Sequence, residues 1–237
     1  MIKKICAISD IHGYLPDIKE CDVLCICGDI IPLNIQRNVD LSIEWLQNDF
    51  HDWVKTIPVK QVVMTWGNHD FVGEKLYEDG ITNMSEFIFG KNNNIHILID
   101  ELKEIEGINF YGTPWCPNLR NWAFYGDEEF LKNKFSHIKS DTQILLTHCP
   151  PKHGQQGIVL QQCWNFLNDF GCQELEDAIQ KIFSVKSTST YILSGHIHSG
   201  NHQLETENGL SYINVSLKDE NYNVAYYPYY FDYYINN

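Results

Sequence analysis

Five short polar clusters carry residue types suited to metal chemistry: Asp10-Ile-His12, Gly28-Asp29, Gly67-Asn68-His69-Asp70, Thr147-His148 and Gly195-His196-Ile-His198. Carboxylate, amide and imidazole groups form a mixed oxygen and nitrogen donor set, which suits Mn, Fe or Zn better than Ca or Mg. None of the clusters contains cysteine, so a thiolate zinc site is not expected. Singly, most of them say little. Asp-x-His arises by chance, Gly-Asp is a common turn, and a lone Thr-His is uninformative. Gly-Asn-His-Asp and Gly-His-x-His specify more, and the order of all five carries the argument.

Each cluster follows a β-branched or apolar run. Residues 3–9 lead into Asp10, 22–27 into Gly28-Asp29, 60–66 into Gly67, 142–147 into His148, and 190–194 into Gly195. Such runs, closed by polar glycine-containing turns, read as strands. Ligand sites in α/β sheets form beyond the carboxyl ends of strands. Side chains at i and i+2 of a strand end share one side, so Asp10 and His12 can address one ion, and so can His196 and His198. Between the strands, 36–55 and 172–184 carry apolar residues at spacings of three and four, a helical period. The segment 94–113 reads as several short strands with a hairpin tip at Glu106-Gly107. Alternation of β and α, then a hairpin region, then strands again, predicts a two-sheet core with helices outside. No linker divides the chain, so residues 1–237 read as a single domain. The Tyr-rich segment 222–237 reads as a terminal strand packed on the core.

The five clusters, in this order, resemble the calcineurin-like metallophosphoesterases, whose pattern is Asp-x-His, Gly-Asp, Gly-Asn-His-Asp/Glu, a lone His and Gly-His-x-His. The resemblance runs from residue 10 to residue 198. It implies a four-layered α/β/β/α sandwich and two divalent metal ions, Mn first, with Fe or Zn as alternatives. By position, Asp10, His12 and His198 would hold one ion, Asn68, His148 and His196 the other, and Asp29 would bridge them. The implied reaction is phosphoester hydrolysis, with the metals activating a water. His69 follows a ligand and is not needed as one, which makes it the candidate acid for the leaving alkoxide. Asp70 has two readings: orienting His69, or capping a helix that begins at Phe71.

Tyr111-Gly-Thr-Pro-Trp115, Asn121-Trp-Ala-Phe124 and Leu146-Thr-His-Cys-Pro-Pro151 are similar to a narrower branch. That branch includes the mammalian brain metallophosphoesterase-domain proteins and related bacterial enzymes, and is associated with phosphodiesterase activity on cyclic nucleotides. The expected substrate is therefore a small, nucleotide-like phosphate ester. A phosphomonoesterase, a phosphoprotein phosphatase and a nuclease are the enzyme alternatives. A non-catalytic scaffold is disfavoured, because every ligand position and His69 are filled. Trp115, Trp122 and Phe124 can stack on a base, but are read first as cover for the core. His153 is read as a loop residue, and His51, His96, His137 and His202 as surface or capping residues.

Composition sets the outer limits. The net charge is −14, from 17 basic against 31 acidic residues, which disfavours long nucleic acid as a partner. No apolar run approaches the roughly 18 residues of a membrane span. The basic and apolar start reads as a first strand, since its apolar run is short and meets Asp10 at once. Eight cysteines, several within apolar runs, read as free thiols of a reducing cytoplasm. Cys21, Cys25 and Cys27 lack the partner pair of a structural zinc site.

Overall fold

Strands with apolar residues on both faces belong to sheets covered on both sides, and the chain forms two of them. The computed structural model describes residues 1–117, 119–161, 166–184 and 189–235. The first sheet runs β15-β1-β2-β3-β4. Its members β1 (Ile2–Ile8), β2 (Cys21–Cys27), β3 (Val59–Thr65) and β4 (Ile95–Ile97) are parallel, and β15 (Tyr229–Tyr234) closes the edge antiparallel to β1. The second sheet runs β13-β14-β12-β9-β6-β5. It contains β5 (Glu101–Ile105), β6 (Ile108–Thr113), β9 (Ile144–Thr147), β12 (Thr190–Ser194), β13 (Glu205–Glu207) and β14 (Leu210–Asn214). Strands β6, β9, β12 and β14 are parallel, and the two edge strands are antiparallel to their neighbours. Two short ribbons pair β7 (Cys116–Pro117) with β8 (Tyr125–Gly126), and β10 (Ile158–Gln161) with β11 (Phe166–Asp169).

The inner faces meet in one apolar layer. Ile5, Ala7, Val23, Cys25 and Val63 from the first sheet pack with Ile108, Phe110, Ile144, Leu146, Leu193 and Ile213 from the second. The opposite faces, with Cys6, Leu24, Val62 and Met64 on one sheet and Tyr111, Leu145, Ile192 and Tyr212 on the other, pack under helices. The result is the expected four-layered α/β/β/α sandwich. The two-sheet core places five strand ends at one rim, which is all the site requires of it.

Helix α1 (Val39–Trp45) starts where the Asn38 side chain accepts from the Leu41 N–H. It passes through a π-helical turn at Leu46–Phe50 into α2 (His51–Thr56), so the expected helix over 36–55 is interrupted. The extra residue in that turn rotates the apolar stripe and buries Leu46, Phe50, Trp53 and Val54. Helices α3 (Phe71–Glu78), α4 (Met84–Phe89), α5 (Glu128–Phe135) and α6 (Gln173–Phe183) complete the outer layers. The hairpin tip between β5 and β6 is Glu106-Gly107, both with positive φ, as a two-residue primed turn requires. Among the described residues no helix is long and apolar enough to cross a membrane.

Candidate metal centre

Strands β1, β2, β3, β9 and β12 end together, and the chain leaves three of them in an uncommon conformation. Asp10, His12, Asp29 and His196 all have left-handed φ, at 53°, 42°, 53° and 66°. Non-glycine residues rarely adopt this region, and such strain gathers at functional sites. Neighbouring backbone bonds over-determine it: Asp10 N donates to Gly28 O at 3.0 Å and His12 N to Asp29 O at 2.9 Å. Gly195 lies so close to Asp10 and Ser9 that a Cβ there would overlap both side chains. A Cβ on Gly67 would likewise strike the Asp29 carboxylate.

All seven sequence-predicted ligand residues converge here, in two neighbouring groups. In the first, Asp10, His12 and His198 bring donor atoms within 4.8 Å of one another. His198 Nε2 lies 3.2 Å from Asp10 Oδ1, while its Nδ1–H donates to Asp219 O at 2.8 Å. In the second, His148 Nε2 lies 2.9 Å from Asn68 Oδ1. Its Nδ1–H is occupied by Cys27 O at 2.8 Å, so Nε2 is the nitrogen turned to the centre. The His196 ring stands 5.0 Å from that of His148, centroid to centroid. Asp29 faces both groups: Oδ1 is 3.3 Å from His148 Nε2 and Oδ2 is 3.7 Å from His12 Nε2. His196 and His198 do not share a group, contrary to the i, i+2 argument. The left-handed backbone at His196 turns its side chain away from the partner.

These residues fit bound cations. His12 is 7% exposed, and both of its ring nitrogens are buried without a hydrogen-bond partner. Buried polar atoms are normally paired, so this imidazole is shaped for a ligand. The electrostatics agree. Burial opposes charge on His148 and His198, yet Asp29 beside the first and Asp10 beside the second push them up to about 10 and about 9. Burial also opposes charge on Asp10 and Asp29, but the His198 and His148 contacts hold both below the usual carboxylate range. Burial takes His12 down to about 4 and His196 down to about 3. Protons on His148 and His198 thus offset carboxylate charge at the positions where the donor sets face inward, and a cation displaces such protons on binding.

His69 lies at the edge of the centre, with Nε2 3.8 Å from Asp29 Oδ2. Asp70 stands at the N-cap position of α3, as one of its two readings expects, but its side chain serves neither role. Its carboxylate does not reach His69, and makes no capping bond to α3. Instead Oδ1 accepts from Ile30 N and Ile31 N, at 2.9 and 3.0 Å, and Oδ2 accepts from Gly67 N at 2.8 Å. Asp70 therefore ties the loop carrying Asp29 to the loop carrying Asn68. Burial, followed by the Asp29 charge, pushes it up to about 7 despite these three donors, a further sign of uncompensated negative charge. Asp70→Ala strands three buried N–H groups at about 1–3 kcal/mol each. Chemical denaturation should show a loss of about 3 kcal/mol or more, with Asp70→Asn much milder because it keeps two of the three contacts. Equal stability of wild type and Asp70→Ala would refute the tie.

The group beside His69 is Gln36, whose Oε1 is 2.5 Å from Nδ1. Trp122 lies against the imidazole at 4.2 Å between centroids, and Arg37 sits 5.0 Å over Trp122. Tyr222, with φ 61°, borders His12, His198 and His69 at 5.0, 5.4 and 6.1 Å. The Tyr-rich end is thus the expected strand over Tyr229–Tyr234, and Tyr222 before it reaches the mouth of the centre. Trp115 and Phe124 are buried as core cover, whereas Trp122 is half-buried at the site. His153 is not a free loop residue: it bridges Glu176 and Glu207 at 3.0 and 3.3 Å and stacks on Tyr212. His202 Nε2 approaches the His198 carbonyl at 2.9 Å, bracing that loop from behind.

One thiol joins the imidazoles, against the expectation of a cysteine-free site. Cys116 Sγ lies within 4.8 Å of donor nitrogens of His148 and His196. No signal in the sequence separates it from the other buried cysteines, because its neighbours here are 32 and 80 residues away along the chain.

Comparison with known proteins agrees with this fold. The chain is 34% identical over 142 residues to the UPF0046 protein T07D4.2 of Caenorhabditis elegans, covering 59% of this chain and 33% of that one. This chain therefore spans about a third of that relative's length. To the UPF0046 protein K07C11.7 of the same organism it is 24% identical over 227 residues, covering 90% of this chain and 69% of that one. Among solved structures, phosphopantetheinyl hydrolase from Mycobacterium tuberculosis shares the fold with a TM-score of 0.53 at 14% identity, covering 92% and 90% of the two chains. A family profile described as calcineurin-like phosphoesterase matches residues 3–200, and the chain belongs to that family.

Proposed function

We propose that this protein is a dinuclear metal-dependent phosphoesterase acting on phosphodiesters of small, nucleotide-like compounds. The observation that carries the reading is the Asp29 carboxylate, buried and turned with one oxygen toward each donor group. Divalent cations held there would supply Lewis-acid charge to the phosphoryl oxygens and lower the pKa of a water. Asp10, His12 and His198 would hold one, Asn68, His148 and His196 the other, and Asp29 faces both. The backbone carbonyls of Cys27 and Asp219 engage Nδ1 of His148 and His198, which fixes the rings with Nε2 inward.

As an imidazolium, His69 gives the proton on Nε2 to the leaving alkoxide, while its Nδ1–H donates to Gln36 Oε1 and holds the ring. Burial pushes the His69 pKa down, which eases release of that proton. Trp122 and Tyr222 offer aromatic faces next to that position, which suits a ring-bearing substrate. The net charge of −14 argues against a long polyanion.

The test compares bis-(p-nitrophenyl) phosphate with p-nitrophenyl phosphate, using protein stripped by chelator and reloaded with Mn. Diester cleavage that vanishes on stripping and returns on reloading is expected. Activity confined to the monoester would overturn the diester assignment, and activity unaffected by stripping would overturn the metal mechanism.

A further inference from the structure

The two donor groups differ in softness. The group around Asp10, His12 and His198 offers oxygen and nitrogen alone, whereas Cys116 stands beside His148 and His196. Resting on the two-metal reading above, we propose that Cys116 is a sulfur donor to the cation held by His148 and His196. That position would then favour a thiophilic ion such as Zn, Fe or Co, and the other would take an oxygen-seeking one such as Mn.

Several observations converge. A thiolate about 2.3 Å and an imidazole nitrogen about 2.0–2.1 Å from one zinc ion stand no more than about 4.4 Å apart. The donor atoms of this trio lie within 4.8 Å of one another, so side-chain shifts of a few tenths of an ångström bring them inside that span. The three groups come from separate segments that the fold brings together: β7, the loop after β9 and the loop after β12. Cys116 is held in place from both sides. Its N–H donates to Phe124 O at 2.8 Å, and the preceding Trp115 Nε1 is fixed on the Asp100 carboxylate at 2.9 Å. Cys116 is fully buried, its own thiol donates to the Pro114 carbonyl at 3.7 Å, and the buried Cys149 thiol is its neighbour. The unpartnered nitrogens of buried His12 show independently that the centre as a whole is built around an absent ligand. On binding, the Cys116 S–H bond breaks, its proton passes to water, and the sulfur–metal bond forms.

Cobalt reads this directly. Stripped protein is titrated with Co2+ under argon. Bound metal is counted by elemental analysis, and the near-ultraviolet sulfur-to-cobalt charge-transfer band is recorded. Wild type should bind two equivalents, with the band saturating after one of them. Cys116→Ser should abolish the band and weaken binding of one equivalent by about 10- to 100-fold or more, at least the cost of losing a ligand's partner. Cys149→Ser should retain the band. Two bound equivalents with no band, or a band that persists in Cys116→Ser, would overturn the proposal. One equivalent with the band would keep the Cys116 ligand and remove the second metal position, so the two readings fail separately. If Cys116→Ser does not fold, Cys116→Ala replaces it, and the Cys149→Ser spectrum still excludes the neighbouring thiol as the source.

Discussion

Replacing Asp29 by alanine is expected to empty both metal positions and abolish measurable turnover. Asp29 faces both donor groups, so on the two-metal reading its loss takes a ligand from each. Losing even an outer partner of a ligand costs about 10–100-fold in metal affinity, and a shared ligand costs at least that at each position. The fold should survive. The change strands the buried His69 N–H, which donates to Oδ1 at 2.8 Å and is worth about 1–3 kcal/mol. It also removes the Asp29 charge, which adds to burial in pushing Asp70 up to about 7. Elemental analysis after gel filtration, beside a thermal melt, checks the claim. Retention of two equivalents by folded Asp29→Ala would sink the bridging role. Asp29→Asn, which keeps an acceptor for His69, should fold as wild type and still bind metal weakly.

His69→Ala is expected to keep both metals and lose about 10²- to 10⁴-fold in turnover, the usual worth of a positioned general acid. The loss should be largest for substrates whose leaving alkoxide most needs a proton, and smallest for p-nitrophenolate. The prediction also separates two readings of one geometry. His69 stands with His12 and Asp29 in a group whose donor atoms lie within 4.8 Å of one another, so a ligand role is the rival. Metal lost together with activity would make His69 a ligand. Normal turnover on poor leaving groups would remove it from the mechanism. Metal retained with turnover lost identifies the acid.

The seven candidate ligands and His69 were legible because each lies within four residues of the end of an apolar run. An apolar run that must be buried becomes a strand, and strands of one parallel sheet end at the same rim. Local order in the sequence therefore becomes proximity in space. The strands themselves, the hairpin at Glu106-Gly107 and the helix over Gln173–Phe183 were readable for the same reason, since period and turn chemistry are local properties.

The partition and the surroundings of the centre were not local. His196 and His198, two residues apart, go to different groups because the backbone at His196 is left-handed, a conformation held by bonds to Asp10 from the far end of the chain. Asp70 sits beside His69 in sequence yet serves Ile30, Ile31 and Gly67, because those buried N–H groups need an acceptor and no strand partner reaches them. Gln36 beside His69, Tyr222 at the mouth and Cys116 beside the imidazoles belong to segments with no motif of their own. Sequence alone determined which donors the chain possesses and that each stands at a strand end. Tertiary structure decided which donors face one another, because that depends on how loops far apart in the chain satisfy each other's buried polar groups.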